Sequence, residues 1–149
     1  MTAAVFLDRD GVLNRTFVVD GVPLPPRTAR GKQTVAAVDR LNGELRRRLP
    51  LDDVLVCPHD DQDGCDCRKP RPGMLLAAAR LHGVDLAGSI MVGDRDKDVE
   101  AGRAAGCRTV FVDGGYGRPP QPPADLTVPS LREAVPWIIS QGRSVIGGQ

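Results

Sequence analysis

Carboxylates follow two short apolar segments of this sequence. The segment 3–7 (AAVFL) leads into Asp8 and Asp10, and the segment 89–93 (SIMVG) leads into Asp94. Short apolar runs of this kind predict buried strands, and the carboxyl ends of parallel strands meet at one edge of a sheet. Three acids brought together there would repel one another unless a hard divalent cation such as Mg²⁺ bound between them. For any one acid, the alternative is a cap on a turn or a helix.

Cysteine and histidine cluster in the segment 57–67, CPHDDQDGCDC. The candidate ligands are Cys57, His59, Cys65 and Cys67, and four such ligands suit a closed tetrahedral zinc site with a structural role. The first alternative is clustering without a metal. The second is a disulfide, which a reducing compartment disfavours. The third is a nucleic-acid-binding knuckle, which the acids within the segment disfavour.

The composition is that of an ordinary globular protein. The 149 residues are 41% hydrophobic, 26% charged and 3% aromatic, with a net charge of +1, which gives no support for nucleic acid or an anionic membrane as a partner. No apolar run is long enough to span a bilayer, and the first residues indicate a strand and not a signal peptide, so we expect a cytoplasmic protein. We expect one domain, residues 1–142, with the segment 57–67 inserted and 143–149 as a frayed tail.

Strand and helix patterns alternate along the chain. Helical spacing of apolar residues begins near Thr34 and ends near Pro50, and a capping box of Ser130 and Glu133 opens a final helix. Such alternation predicts right-handed crossovers and a parallel sheet in an α/β fold. The predicted strands are 3–7, 53–57, 89–94, 108–112 and 125–128, and the predicted helices are 34–49, 73–83, 97–106 and one that begins at Ser130.

Several segments, in this order, resemble the haloacid dehalogenase (HAD) superfamily. They are FLDRDGVLN (6–14), RKPRPGM (68–74) and MVGDRDKDVEAGRAAG (91–106). The segment CPHD…GCDCRKP (57–70) is similar to the small zinc-containing branch that includes the heptose bisphosphate 7-phosphatases and the histidinol-phosphate phosphatase domains. The resemblance implies a Rossmann-like, three-layer fold with a parallel sheet and helices on both faces.

The resemblance implies a Mg²⁺-dependent phosphomonoesterase that acts on a small sugar phosphate. Asp8 would attack the phosphorus to form a phospho-aspartyl intermediate, and Asp10 would act as the general acid and then as the general base. Lys69 would neutralise charge on the transferred phosphoryl group. The Mg²⁺ ion would be held by the carboxylate of Asp8, the backbone carbonyl of Asp10 and Asp94.

The resemblance also implies substrate contacts. Arg68 and Arg95 match positions that contact the substrate in the heptose enzymes, and Arg9 and Asn14, which lie beside the nucleophile, are further candidates. Asp98 occupies the position of a second acid that supports the metal site. The expected partner is a small phosphorylated metabolite, with histidinol phosphate or another small phosphate ester as the alternative. We expect a monomer, with an oligomer as the alternative.

One segment that this branch normally carries is missing from the sequence. Between the first acids and the cysteines, its members have a helix and a strand of the form VVVTNQSG, whose final Thr or Ser contacts the phosphoryl group. Here PPRT (25–28) runs directly into ARGKQT (29–34), and neither Thr28 nor Thr34 ends a strand pattern. We therefore expect a sheet shortened by one α-β unit, which is about 30–40 residues. The alternative function is that of a catalytically impaired binding protein.

Overall fold

The computed structural model describes residues 2–9, 11–13, 17–19, 22–24, 35–57 and 64–147. The strands are β1 (Val5–Leu7), β2 (Phe17–Val19), β3 (Val22–Leu24), β4 (Ile90–Gly93), β5 (Arg108–Val112) and β6 (Leu126–Val128). The helices are α1 (Val35–Arg48), α2 (Gly73–His82), α3 (Asp96–Ala104) and α4 (Leu131–Gly147), with a short 3-10 helix at Leu86–Gly88.

Four parallel strands form the larger sheet, in the order β1-β4-β5-β6. Strands β4 and β5 are almost entirely buried, which is typical of strands covered on both faces and explains their unbroken apolar sequences. Ile90 of β4 lies opposite Val5 of β1 and opposite Arg108 of β5. The predicted α/β fold with a parallel sheet is therefore confirmed.

Helices cover both faces of this sheet because successive residues of a strand point to opposite sides. On one face, Val92 of β4 packs in a cluster with Ala134 of α4. On the other face, Met91 of β4 packs with Leu75 of α2 and Ala101 of α3. These two cores fix β1 and β4 side by side, so that the residues that follow the two strands leave the sheet at the same edge.

The predicted strand at 53–57 is wrong. The structure describes this segment as irregular, and within the described residues β1 pairs only with β4. An apolar run becomes a strand only where a neighbouring strand can satisfy its backbone groups, and the pattern alone does not supply that neighbour. Leu55 and Val56 are consequently 40% and 46% exposed, beside a groove of about 980 Å³ that also runs along β1.

Strands β2 and β3 lie between the first acids and α1, where the sequence predicts no strand. Strands β2 and β3 pair antiparallel, with Val19 opposite Val22. Two residues, Asp20 and Gly21, separate these partners in the sequence, and Asp-Gly between apolar runs is a strong sequence signal for a two-residue hairpin turn. The sequence carries this signal, but β3 (VPL) contains a proline, and proline within a run argues against a strand.

The predicted helices are present, with adjusted ends. Gly83 caps the C-terminus of helix α2. Its positive φ of 64° suits a residue without a side chain, and its backbone N–H donates to the Ala79 carbonyl. Helix α4 runs to Gly147, into the segment predicted as the C-terminal tail. In the part of the chain that the structure describes, no helix is long and apolar enough to cross a membrane.

Candidate active site

Carboxylates converge at the carboxyl ends of β1 and β4. Asp8 follows β1 directly, and its backbone N–H donates to the Val92 carbonyl at 3.0 Å, which extends the sheet pairing to the acid itself. Asp94 follows β4. Each of these two acids and Asp98 of α3 places a carboxylate oxygen within 4.8 Å of the others. We call Asp8, Asp94 and Asp98 the acid cluster, and it joins elements up to 90 residues apart in the sequence.

Lys69 lies against the acid cluster. Its Nζ is 2.9 Å from Asp8 Oδ1 and 2.6 Å from Asp98 Oδ1. Burial opposes the charged ammonium, but the carboxylates of Asp98 and Asp8 outweigh this and raise the pKa of Lys69. Burial likewise opposes the Asp8 carboxylate, but the Lys69 charge outweighs it and lowers the pKa of Asp8. The pair is therefore ionised, with Asp8 held as a carboxylate at the end of β1.

Asp98 anchors this lysine from the first turn of α3. Its Oδ2 accepts the backbone N–H groups of Asp94 and Arg95, each at 3.1 Å, and its Oδ1 contacts Lys69. The side chain is only 2% exposed, and burial raises its pKa while the Lys69 charge opposes that rise. A β-carbon at Gly93 would collide with the Asp98 side chain, so this close approach requires glycine at position 93.

Asp94 carries an unsatisfied buried oxygen. The residue is 1% exposed, and its Oδ2 accepts a hydrogen bond from the Tyr116 hydroxyl at 2.5 Å. Its Oδ1 is buried and has no hydrogen-bond partner among the described residues. Burial raises the pKa of Asp94 to about 7, and the charges of Asp8 and Asp98 add to this rise while the Tyr116 hydrogen bond opposes it. A buried acid with one unpartnered oxygen, in a cluster with two further acids, offers the oxygen ligands that a hard cation prefers.

Tyr116 was not among the residues predicted for the site. It lies in the loop after β5, which leaves the sheet at the same edge as Asp8 and Asp94. A signal was available, since Tyr116 is the single tyrosine of the chain and stands among Gly114, Gly115 and Gly117 in a loop at the carboxyl end of a strand. A loop residue does not belong to a helical or strand periodicity, so the apolar pattern gives no reason to choose Tyr116.

The other predicted site residues differ in their placement. Asp10, Asn14 and His59 lie outside the residues that the structure describes. Arg9 Nη1 donates to Oδ1 of Asn42, a buried residue of α1, at 3.2 Å. The groove that runs along β1 to the acid cluster is also lined by all three predicted substrate arginines, which are Arg9, Arg68 and Arg95.

Three of the four predicted zinc ligands lie together. We call Cys57, Cys65 and Cys67 the cysteine cluster, and their sulfur atoms are 2.9, 3.4 and 3.5 Å apart. A tetrahedral zinc with bonds of about 2.3 Å would hold its sulfurs about 3.8 Å apart. The two pairs that include Cys65 are near this spacing, and the Cys57 and Cys67 sulfurs are closer together than a zinc site would hold them. Burial raises the pKa of Cys67 to about 12, and the hydrogen bonds that its thiol donates to Cys57 and Cys65 reinforce this rise. Burial also opposes the Cys65 thiolate, but hydrogen bonds from its two neighbours lower its pKa to about 7.

A tight loop connects the cysteine cluster to Lys69. The backbone N–H of Gly73, the first residue of α2, donates to the Asp66 carbonyl at 2.9 Å, and Arg71 Nη1 donates to the Cys65 carbonyl at 2.6 Å. A β-carbon at Gly73 would collide with the Asp66 carbonyl, so the loop and the start of α2 are tightly packed against each other. The lysine therefore lies in a segment fixed at one end by the cysteine cluster and at the other by α2.

Comparisons with known proteins identify related phosphatases. A profile of the HAD-hydrolase-like family matches residues 66–134. The heptose bisphosphate 7-phosphatase of Pseudomonas aeruginosa is 42% identical over 94 residues, which cover 60% of this chain and 53% of the relative. The D-glycero-β-D-manno-heptose-1,7-bisphosphate 7-phosphatase of Escherichia coli K12 is 33% identical over 176 residues, which cover 92% of this chain and 88% of the relative.

A solved structure is similar in fold as well as sequence. The D,D-heptose 1,7-bisphosphate phosphatase of B. bronchiseptica, solved with magnesium and phosphate, superposes with a TM-score of 0.62 at 30% identity, over 74% of this chain and 80% of that one. The parallel sheet with acids at its carboxyl edge is thus that of a HAD-like hydrolase. The chain belongs to the HAD phosphatase family and is related to its heptose bisphosphate 7-phosphatases.

The chain is shorter than these relatives. It spans about half the length of the first curated relatives that it matches, at 53% of each. The alignment with the E. coli enzyme has 176 positions, whereas 92% of 149 residues is only about 137, so about 39 positions are filled by the relative alone. This difference has the size of the α-β unit that the sequence was expected to lack.

Proposed function

We propose that the chain is a Mg²⁺-dependent phosphomonoesterase that hydrolyses a small sugar phosphate similar to D-glycero-D-manno-heptose 1,7-bisphosphate. The observation that carries the proposal is the placement of Lys69 between Asp8 and Asp98, in a cluster whose third member, Asp94, has a buried oxygen with no partner among the described residues. A carboxylate nucleophile, a cation for the phosphoryl group and a metal ligand then lie within one small volume. The related heptose bisphosphate 7-phosphatases of P. aeruginosa and E. coli support the same substrate class.

The acid cluster fits a magnesium ion. Asp8 and Asp94 would bind it through their carboxylates, and we propose the backbone carbonyl of Asp10, which lies outside the described residues, as a further ligand. The buried Oδ1 of Asp94 and the raised pKa of this acid both indicate negative charge that the described side chains do not fully balance. When bound, Mg²⁺ would supply positive charge against the oxygens of a phosphoryl group.

Each of these residues has its own step in the proposed reaction. The Asp8 carboxylate attacks the phosphorus, an aspartyl-phosphate bond forms, and the bond from phosphorus to the sugar oxygen breaks. Asp10 donates a proton to the leaving sugar oxygen and later takes a proton from the water that attacks the phosphorus. This second attack releases inorganic phosphate and restores the Asp8 carboxylate. Lys69 holds Asp8 ionised before the attack and lies beside the oxygens that carry charge during it.

The groove favours a polar, phosphorylated substrate. Arg68 and Arg95 line it together with Asp8 and Lys69, so cationic side chains surround the position of the phosphoryl group. Guanidinium groups bind phosphate oxygens or sugar hydroxyls through several parallel donors. The same features would accept histidinol phosphate or another small phosphate ester, so the substrate must be found by experiment.

A second candidate function is binding of a phosphorylated ligand without turnover. It is favoured by the roughly 39 aligned positions that this chain lacks relative to the E. coli enzyme. If one phosphoryl contact is lost with that segment, the rate would fall on the order of a hundredfold or more. Ligand binding would survive such a loss better than catalysis, because hydrogen bonds to a transition state affect rate most strongly.

The test is phosphate release from a panel of sugar phosphates and histidinol phosphate, with and without Mg²⁺. We expect Mg²⁺-dependent release that Asp8→Asn abolishes. The matched control is Asp113→Asn, which changes an exposed acid that follows β5 and keeps an acceptor for the Gly115 N–H. Release that survives Asp8→Asn would refute the mechanism, and binding of a phosphate ester with no release from any substrate would favour the second candidate.

We also propose that the cysteine cluster binds a structural zinc ion, with His59 as the fourth ligand. The support is the sulfur spacing of 2.9–3.5 Å and the lowered pKa of Cys65, which favours a thiolate. Four protein ligands leave no open position, so this zinc would take no part in the reaction. Metal analysis of purified protein should find about one zinc per chain, and a zinc-free protein with three titratable thiols would contradict the proposal.

A further inference from the structure

Tyr116 determines which oxygen of Asp94 remains available. Its hydroxyl donates to Asp94 Oδ2 at 2.5 Å, and the remaining oxygen, Oδ1, is buried with no hydrogen-bond partner in the described part of the chain. The carboxylate is 1% exposed, so bulk water does not replace a lost donor easily. The hydrogen bond therefore restricts the rotation of a carboxylate that belongs to the acid cluster and leaves only its other oxygen without a partner among the described residues.

The surrounding backbone holds this pair in a close fit. A β-carbon at Gly11, where φ is +85°, would collide with both Asp94 Oδ2 and the Tyr116 hydroxyl. A β-carbon at Gly117 would lie 2.7 Å from the Asp94 carbonyl oxygen, and one at Gly114 would touch the tyrosine ring. Glycine backbone from two segments, at Gly11 and in the loop 114–117, thus packs closely around Asp94 and Tyr116, which leaves room for the phenol and for little else.

We propose that Tyr116 is a positioning residue for the metal-binding carboxylate of Asp94 and that it strengthens Mg²⁺ binding through this one hydrogen bond. The inference rests on the proposed function, since it requires Mg²⁺ at the acid cluster. Groups that orient a metal ligand without touching the metal typically contribute 10- to 100-fold in metal affinity. Tyr116 fits this role because its hydroxyl contacts the ligand and restricts its rotation, whereas Lys69 contacts the other two members of the cluster.

The first experiment is calorimetric titration of the full chain with Mg²⁺ in the absence of substrate. We expect Tyr116→Phe, which keeps the ring and removes only the hydroxyl, to weaken Mg²⁺ binding about 10- to 100-fold. Tyr116→Leu should weaken it by a similar factor and also lower the Tm, because it removes the ring packing as well. Asp113→Asn, in the same loop, should bind Mg²⁺ like the original chain.

Kinetics separate positioning from a structural role. With Tyr116→Phe, saturating Mg²⁺ should restore kcat. The Mg²⁺ concentration for half-maximal activity should rise by the same factor as the Kd for Mg²⁺ measured by calorimetry. A merely structural role would lower the Tm and leave the Mg²⁺ dependence unchanged. Equal Mg²⁺ affinity in the original chain and Tyr116→Phe would overturn the role of Tyr116 and leave the proposed function intact. A chain that binds no Mg²⁺ at all would overturn both.

A second measurement needs no substitution. Because the chain contains one tyrosine, growth with 3-fluorotyrosine places a single ¹⁹F label at position 116 of the untagged protein. We expect Mg²⁺ to shift this resonance with the midpoint of the calorimetric titration, because the phenol contacts a carboxylate that binds the ion. A resonance that stays fixed through saturation with Mg²⁺ would overturn the inference even if Tyr116→Phe failed to fold.

Discussion

The acid cluster and the cysteine cluster are assembled in opposite ways. The acid cluster joins residues from β1, β4 and α3, and only the sheet brings these elements together. The cysteine cluster comes from one stretch of eleven residues that forms no helix or strand where it is described. Two members of the first cluster are buried, whereas all three cysteines are half-buried. The first site therefore depends on the fold, and the second depends on local chain geometry and, under the zinc proposal, on a bound ion.

Lys69 connects the two regions. It is two residues beyond Cys67 in the sequence and contacts Asp8 and Asp98 in space. The hydrogen bonds from Gly73 to Asp66 and from Arg71 to Cys65 make the intervening loop compact. The loop that carries the cysteine cluster therefore holds Lys69 against the acid cluster that the sheet has assembled.

The largest effect is expected from Lys69→Met. The substitution removes the charge beside the nucleophile and should lower kcat about 100- to 1000-fold. It also leaves Asp98 buried without its cation, which typically costs 3–5 kcal/mol in the free energy of unfolding. Both quantities can be measured, by phosphate release and by urea unfolding.

The matched control for this prediction is Arg80→Met, which removes an exposed cation near the end of α2 that does not line the groove. We expect Arg80→Met to change neither stability nor kcat by more than a small factor. Full activity of Lys69→Met would show that the acid cluster works without the loop and would break the connection between the two regions.

An intermediate effect is expected from Cys67→Ser. Loss of one ligand should release the proposed zinc and loosen the loop that holds Lys69, so that activity falls although no residue of the acid cluster has changed. A loss of about 2 kcal/mol in stability would lower the Tm by roughly 4–8 °C. Metal analysis, Tm and phosphate release should be measured on the same samples.

The control for Cys67→Ser is Cys107→Ala. Cys107 is buried in the core beside Met91 and Ala105, away from the cysteine cluster. This variant should keep its zinc even if its Tm falls, because it leaves all of the proposed ligands in place. Unchanged zinc content in Cys67→Ser would instead show that the cysteine cluster does not bind the ion as a unit.

The sequence predicts the meeting of Asp8 and Asp94 better than it predicts the sheet around them. Parallel topology brings the carboxyl ends of adjacent strands to one edge, whereas Asp98 is expected there only through the family resemblance. The segment 53–57 was assigned to the sheet wrongly because an apolar pattern reports burial preference and not the presence of a neighbour. Tyr116 was missed because a loop side chain takes its position from tertiary packing, which here includes the close approach of Gly11.

The smallest effect, and the most local, concerns thiol reactivity at pH 8. In chelator-treated protein Cys65 should react first with iodoacetamide, because its pKa of about 7 leaves it largely as thiolate, while the raised pKa of Cys67 leaves that thiol protonated and slow. Burial raises the pKa of Cys107 to about 11, so it should stay unmodified until the protein unfolds. Mass spectrometry of tryptic peptides over time gives the order directly.

Zinc should abolish this order within the cysteine cluster. Once the ion binds, the sulfurs share its charge and all three should be protected together, whereas the reactivity of Cys107 should not change. If zinc protected only one cysteine, the cluster would be a set of independent thiols and would not support the loop. In that case the position of Lys69 would have to come from Asp98 and α2 alone, and the cysteine cluster would lose its connection to catalysis.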